Sequence, residues 1–505
     1  MQDSVTEPDR APDQSGQPTA HAPPQDGAGQ GPRLPVGVVA ALYLVVCLVP
    51  LVLALMRDVA PTVTWEIAAA GLGLIGLAAM AVQFVTSGRF QLISGRLGID
   101  RVMAFHKTAA WWVLGALLLH PLAYVVPTVQ ADPALGLERL IAYLTLPQYR
   151  TGVIALGALA LLVLGSALRE RLPLRYEAWR GAHVVLAITA VAGGLHHAAT
   201  VGRFSVLGAL QGYWWGVGAA VAGILAVLYG LRWARLHRRP WRLASVTRRA
   251  DRMWELDIQP APGTAPMPYR AGQFVWITEG ARRFPLFDHP FSIADSPRRA
   301  GLRLIVKEAG DFTNRIGDLA PGTPMGVDGP YGHFTLEGHA DDAVLLIAGG
   351  VGVAPIMGLL RDLRARGHDR PVRLAYAVGT PDNLACADEI AAAAGDLDLE
   401  TLLLSETPGP DWPGEVGRLD RARLQDMLRD LDPQETMAMM CGPGPMVTAV
   451  ADTLIDLGLP MERVLYERFD YSEGASRLDR RLRRRFLALG AGLALGLAGF
   501  VALLG

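Results

Sequence analysis

Phe105–Pro121 reads FHKTAAWWVLGALLLHP. The segment is apolar enough to lie in a membrane, yet it carries a histidine near each end, and polar side chains at that depth usually have a task. His106 and His120 are fourteen positions apart. At about 100° per residue, fourteen steps make four turns less roughly 40°, so both rings share one helix face, about 21 Å apart along the axis. The stretch Trp179–Phe204, WRGAHVVLAITAVAGGLHHAATVGRF, repeats the arrangement with His183 and His197 at fourteen, or His196 at thirteen. Two helices running the same way would set His106 beside His183 near one side of the bilayer and His120 beside His197 near the other.

Facing imidazoles repeated at two depths suit two haem irons, each held by a pair of histidines. A single histidine near a helix end is ordinarily interfacial, so the weight rests on the matched repeat. A proton path would want carboxylates among these helices, where they are scarce. Zinc could use four histidines, but two pairs about 20 Å apart cannot share one ion. For the outer pair, thirteen residues would rotate the ligand by roughly 140° unless the helix bulges. His197 is therefore the expected ligand, with His196 as the alternative.

Outward from these segments, the chain has 505 residues, 51% hydrophobic and 19% charged, with a net charge of −1. The length exceeds one domain, the composition points to a membrane protein with a soluble part, and the charge gives no reason to expect a nucleic-acid partner. Three cysteines, Cys47, Cys386 and Cys441, cannot supply a four-thiolate iron–sulfur cluster or a disulfide framework. Residues 1–33 have almost no large apolar side chains and read as a disordered tail, without the layout of a signal peptide.

Six apolar stretches follow, at about 35–56, 64–86, 103–126, 152–168, 181–201 and 211–232, most of them near the roughly 20 residues that cross a bilayer. The connections holding Arg89, Arg96 and Arg101, then Arg169, Arg171, Arg175 and Arg180, then Arg232 to Arg242, are richer in basic residues than the opposite ones. By that asymmetry both ends of the six-helix unit face the cytoplasm. Residues 486–505 carry no charge and follow RLDRRLRRR, which predicts a seventh, C-terminal spanning helix. Gly492 and Gly496 give it a G-x-x-x-G spacing, a candidate surface for pairing with a second copy as a homo-oligomer.

The stretch 240–475 reads first as short strands of an antiparallel barrel, to about residue 336, and then as strand–helix alternation with a parallel sheet. In PLFDHPFSIADSP, His289, Pro290, Phe291 and Ser292 offer an aromatic ring for a flat isoalloxazine and a hydroxyl for a ring nitrogen. YRAGQF upstream (Gly272, Gln273, Phe274) and KEAGDFTNRIG downstream strengthen it; in the latter, Gly310 and Thr313 precede a short helix whose first amides could hold a pyrophosphate. LLIAGGVGVAPIMGLLRDL is a buried strand, a glycine turn and a helix. There Gly349, Gly350 and Gly352 let the backbone approach a phosphate, with Pro355 near the helix start. MMCGPGPMV, with Cys441, Gly442 and Pro443, ends a later strand where a nicotinamide could rest. Each motif alone is an ordinary turn; their order is specific.

HPFSI, GDFT, GGVGVAP and CGPGPM, following a six-helix unit with paired histidines, resemble the ferric reductase and NADPH oxidase superfamily of transmembrane flavocytochromes b. The cytoplasmic part is similar to ferredoxin–NADP reductase. The resemblance covers about residues 40–471. It implies FAD at His289, Pro290, Phe291, Ser292, Gly310 and Thr313. It also implies NADH or NADPH at Gly349, Gly350, Gly352, Pro355, Cys441, Gly442 and Pro443. Family members often end near an aromatic residue that covers the flavin; YERFDY (Tyr466–Tyr471) matches that ending, with Phe469 as the candidate, and Ser292, Cys441 and Phe469 are the expected catalytic positions. The extra C-terminal helix departs from the pattern. Asp382 after the second strand of the sheet disfavours NADPH, while Arg418 could be brought near by the fold and reverse that.

The expected architecture is a disordered tail (1–33), a six-helix haem-binding bundle (34–236), an antiparallel FAD barrel (237–337), an α/β parallel-sheet NAD(P) domain (338–475), and a basic linker with a spanning helix (476–505). The resemblance implies an integral protein of the plasma or inner membrane, its dehydrogenase part cytoplasmic. It would pass electrons from NAD(P)H through FAD and two haem b to a small-molecule or protein acceptor outside, such as ferric chelate or oxygen. Arg203 is placed to attract an anionic acceptor or a haem propionate, or to snorkel to the interface. The rival reading is a membrane-anchored flavin reductase fused to a haem-free bundle.

Overall fold

The computed structural model describes residues 36–57, 63–87, 99–206, 208–280, 285–339, 342–468 and 476–505. The expected tail, Arg89, Arg96 and Phe469 lie outside them. Seven described helices are long and apolar enough to cross a membrane, and the chain is an integral membrane protein.

The first part contains α1 (Val36–Leu55), α2 (Thr64–Val82), α3 (Ile99–Ala131), α4 (Pro133–Thr145), α5 (Arg150–Ala167), α6 (Tyr176–Val201) and α7 (Ala209–Leu225). A π-helical turn at Ala226–Leu231 carries α7 into α8 (Arg232–Arg238). Glycines mark where helices touch, because small residues leave room for a neighbouring helix to approach closely in lipid. A Cβ on Gly73 of α2 would stand 2.7 Å from the His120 ring, and one on Gly76 2.8 Å from Leu117. A Cβ on Gly152 of α5 would stand 2.8 Å from Nδ1 of His197. Thus α2 backs α3, and α5 backs α6. The two histidine helices pack mainly on these neighbours and face each other across a gap.

Helix α4 is an addition to the expected connection between the third and fourth stretches. Asp132 caps it by accepting from the Ala134 and Leu135 amides, with Pro133 at the first position. Leu137, Ile141 and Leu144 are exposed on one face, and Arg139 and Tyr143 turn inward.

The barrel follows as β1 (Trp241–Ala250), β2 (Met253–Pro260), β3 (Phe274–Glu279), β4 (His289–Ser292), β5 (Leu302–Lys307) and β6 (Pro324–Tyr331), in the order β4-β3-β6-β1-β2-β5, all antiparallel. Leu243, Leu256, Ile258, Val275, Ile277, Ile293 and Leu304 fill it.

The sheet then runs β7 (Ala343–Gly349), α9 (Val353–Ala365), β8 (Val372–Val378), α10 (Ala387–Ala393), β9 (Leu399–Ser405), β10 (Glu415–Val416), α11 (Arg421–Met427), β11 (Thr436–Gly442), α12 (Gly444–Asp456) and β12 (Val464–Arg468). Its order is β10-β9-β8-β7-β11-β12, all parallel. Every residue of β7 and β11 is buried, which is why both read as unbroken apolar runs rather than alternating ones. Barrel and sheet are joined by Arg361 of α9, which reaches Glu389 at 2.6 Å and Glu255 of β2 at 2.7 Å.

The last helix, α13 (Arg477–Leu504), starts with a reciprocal cap between Ser476 and Asp479. Gly492 and Gly496 do not present an open face: they seat Leu44 and Leu48 of α1, while Gly71 of α2 receives Leu497 and Phe500. The G-x-x-x-G surface expected to pair with a second copy is thus occupied within the chain, because α1 offers leucines at matching heights. Gly496→Leu should force α13 off α1 and destabilise the protein by about 1–3 kcal/mol. Thermal unfolding in detergent checks this; an unchanged transition would mean the contact carries little.

Candidate functional site

At the barrel end of the bundle, the His106 and His183 ring centres are 6.5 Å apart at 40°. Two imidazoles on opposite sides of one metal, each bonded at about 2 Å, hold their ring centres roughly 6–6.5 Å apart. The hydrogen bonds around these rings fix their tautomers. Ser166 Oγ donates to the Leu162 carbonyl, so at 3.1 Å from His183 Nδ1 it accepts that ring's proton. Thr86 Oγ1 donates to Gln83 Oε1 and stands 3.5 Å from His106 Nδ1 in the same role. Both rings therefore keep Nε2 as a lone-pair donor, the arrangement a metal-bound histidine needs. Among the described residues no three His, Cys, Asp or Glu side chains converge, so a four-ligand zinc site is not formed.

Farther along the same helices, His120 Nδ1 donates to the Ala69 carbonyl at 2.7 Å, which again leaves Nε2 free. His197 lies with Nδ1 against Gly152, and among the described residues that buried nitrogen has no hydrogen-bond partner. His196 is exposed and stands 3.2 Å from Thr151 Oγ1. With α6 continuous through both residues, the fourteen-residue spacing puts His197 on the inward face and His196 off it. Tyr124, Tyr143 and Tyr149 link the rings of His120 and His197 in an aromatic arc. Above it Glu66 pairs with Arg139 at 3.0 Å and Arg203 at 3.6 Å. Arg203, expected just outside the outer pair, is thus held by a carboxylate.

At the other end, the first turns of α6 meet the barrel. Asp288, 2% exposed, accepts an ion pair from Arg180 at 2.6 Å and another from Arg232 at 3.2 Å. Arg180 also donates to the Pro285 and Asp288 carbonyls, and Arg232 pairs with Asp328 of β6. The next residue, His289, stacks on Phe312 at 4.3 Å and 3°, and Phe291 lies 6.3 Å from the same ring. Burial lowers the His289 pKa, against the opposing pull of Glu177 and Asp288.

Three family models match the chain in order: "Ferric reductase like transmembrane component" over residues 72–194, "FAD-binding domain" over 241–335 and "Oxidoreductase NAD-binding domain" over 346–452. The chain carries the domain set of the ferric reductase and NADPH oxidase superfamily. Its oxidoreductase part is 32% identical, over 188 residues, to the reductase component of propane 2-monooxygenase from Rhodococcus jostii (strain RHA1), covering 35% of this chain and 50% of that one. It is 29% identical over 252 residues to a flavohemoprotein of Bordetella pertussis, covering 45% and 60%. The chain spans about half the length of the curated relatives it matches. Among solved structures, the FAD/NAD-binding domain of nitric oxide dioxygenase from Vibrio cholerae O1 biovar El Tor aligns with a TM-score of 0.41 at 21% identity, over 46% of this chain and 98% of that one.

Within the ferric reductase-like component lie His106, His120 and His183; His197 follows three residues after its matched end. In the FAD-binding domain, Ser292 is buried opposite Phe274, and Pro290 lies opposite Trp276. Gly272 has φ +88, and a Cβ there would strike the Phe334 carbonyl, so the tight turn before β3 admits only glycine. Gly310 sits in a turn closed by Thr313, whose Oγ1 accepts from the Ala309 and Gly310 amides at 2.8 and 2.9 Å. The helix expected after it is a single 3₁₀ stretch, Thr313–Asp318. In the NAD-binding domain, Gly349, Gly350 and Gly352 form the turn into α9, with Pro355 in its first turn. A Cβ on Gly352 would collide with the Cys441 carbonyl, and one on Gly442 would stand 3.1 Å from Gly349 Cα. The two glycine motifs therefore meet where β7 and β11 end, with Pro443 opening α12, at the point where the strand order reverses. Cys441 is fully buried. Arg418 reaches Glu406 at 2.7 Å, and the Glu406 amide bonds to the Val378 carbonyl at the end of β8.

Asp288 and Phe312 were not singled out by sequence reasoning, and Arg180 and Arg232 entered it only as basic residues of the connections. Their signals were an acid directly before HPFS and two arginines inside or bordering apolar helices. Asp288→Ala, which strips both buried arginines of a shared partner, should cost about 3–5 kcal/mol of stability, read by thermal unfolding of the intact protein. For His289, whose folded pKa lies below the unfolded value of about 6.5, the unfolded chain binds the extra proton as pH falls. Its contribution is complete above that value and is lost as pH drops towards the folded pKa. His289→Gln should therefore flatten the acid side of the stability–pH curve; identical curves for both proteins would contradict this.

Proposed function

We propose that the chain carries electrons from NADH or NADPH on the cytoplasmic side, through FAD and two b-type haems, to an acceptor on the outer face, a ferric chelate or oxygen. The observation that carries this reading is the pair of histidine pairs, with Nδ1 engaged and Nε2 left free in three of the four rings. The excess of arginines at the barrel end of the bundle supports the cytoplasmic orientation. Bound FAD would accept two electrons as a hydride and release them singly, and bound haem would relay single electrons across the bilayer.

The chain's own residues hold and orient. His106 and His183 hold the inner iron; His120 and His197 hold the outer one. His289, Pro290, Phe291, Gly310 and Thr313 line the flavin site, and Ser292 offers its hydroxyl to the ring. Gly349, Gly350, Gly352 and Pro355 admit the dinucleotide phosphates, and Cys441, Gly442 and Pro443 floor the nicotinamide site; Phe469, the candidate to cover the flavin, lies outside the described residues. Arg418, the base available for a 2′-phosphate, is engaged with Glu406, which weighs towards NADH.

Adding NADH to purified membranes should produce the absorption of reduced b-type haem. His120→Leu should remove only the outer haem, taking the ratio from two haems per flavin to one; loss of both would overturn the pairing by depth. A folded, FAD-loaded preparation without haem absorbance would overturn the proposal in favour of a flavin reductase on a haem-free bundle.

A further inference from the structure

Tyr176, Trp179 and His183 are spaced at three and four residues on α6, so their rings line one face of the helix. That face points from the flavin-binding domain to the inner histidine pair. His289, stacked on Phe312, lies 5.7 Å from the Tyr176 ring. Tyr176 lies 5.9 Å from Trp179, Trp179 lies 5.5 Å from His183, and His183 lies 6.5 Å from His106. The run is unbroken, and each centroid separation is within the range of ring contact. It is also held in place: Arg180, next to Trp179, is the residue clamped to Asp288.

We infer that Trp179 is the bridging residue through which the flavin site is electronically coupled to the inner histidine pair. The inference rests on the proposed function above. Trp179 lies in the path of a step in which the flavin is oxidised by one electron and the inner iron goes from ferric to ferrous. No bond to the indole forms or breaks, and the proton given up by the flavin leaves to water on its own side of the membrane. The guanidinium of Arg169 sits 5.5 Å from the Trp179 ring, and that of Arg180 lies 6.0 Å from Tyr176. A positive charge against a π face favours the neutral ring over one that has lost an electron. The indole is therefore a coupling medium and is not itself oxidised in the step.

The test compares Trp179→Leu and Trp179→Phe in the full chain loaded with FAD and haem, mixed anaerobically with NADH. Flavin bleaching and haem reduction are followed separately. Haem content and the ferric electron-paramagnetic-resonance spectrum report whether His183 still ligates. The expected result is that Trp179→Leu slows haem reduction about tenfold or more, about 1.4 kcal/mol or more in the barrier. Flavin bleaching, haem content and the resonance spectrum should not move, and Trp179→Phe, which keeps a ring, should restore most of the rate. Haem reduction in Trp179→Leu at the wild-type rate would overturn the bridge and leave the proposed function standing. A lost or altered inner-haem signal would also overturn it, making Trp179 only a packing support for His183. A wild-type protein without haem would overturn both.

Discussion

One buried carboxylate sets the relation between the two halves of the molecule. Asp288 is enclosed with Arg180 of α6 and Arg232 of α8, and a carboxylate in that position holds its partners because none of the three can be left unpaired out of water. The cluster is directional. Arg180 is three residues from His183, and Asp288 directly precedes His289, so a single contact fixes the inner histidine pair relative to strand β4. The π-helical turn at Ala226–Leu231 belongs to the same arrangement. An extra residue per turn shifts the face that follows it, and the first residue after that turn is Arg232.

A second constraint acts inside the membrane. A histidine in lipid has two polar ring nitrogens to satisfy, and the helix backbone has already spent its own donors and acceptors internally. The fold answers with acceptors on neighbouring helices: a backbone carbonyl at Ala69 for His120, and hydroxyls at Ser166 and Thr86 for His183 and His106. Those acceptors come from α2, α5 and the turn after α2, the same segments whose small residues let α3 and α6 approach. The glycines and the tautomers are therefore coupled: a side chain at Gly73 would push away the ring that Ala69 anchors four residues earlier.

Much of this is written in local patterns. The fourteen-residue repeat marked two helices and gave a preference for His197 over His196, because helical periodicity needs no knowledge of the rest of the chain. The barrel and the parallel sheet were legible for a similar reason: alternation in Leu256 and Ile258 and unbroken apolar runs in β7 and β11 report burial on one face or two. What was not legible depends on contacts distant in sequence. Asp288 and Arg232 are 56 residues apart, and no local pattern says that the two pair. Helix α4 was hidden because its apolar face is too short to read as a span, and the occupant of Gly492 and Gly496 could not be told from spacing, which says that a helix can approach but not which one.

The extra helix gives the chain a second point of attachment. Asp479 of α13 pairs with Arg468 at the end of β12 at 2.8 Å and accepts from the Tyr466 hydroxyl at 3.1 Å. Arg477 reaches Asp456 of α12 at 2.7 Å, and its amide bonds to Asp452. The barrel is thus tied to the bundle through Asp288, and the sheet is tied through α13, which itself lies against α1 and α2. With the Arg361 network joining barrel to sheet, the soluble part is connected to the membrane part at two places and to itself at a third. A body held at two separated points can flex, but it cannot swing about either one. In a protein whose proposed work depends on keeping carriers at fixed separations, that closed loop of contacts makes the distance a property of the fold rather than of a docking equilibrium.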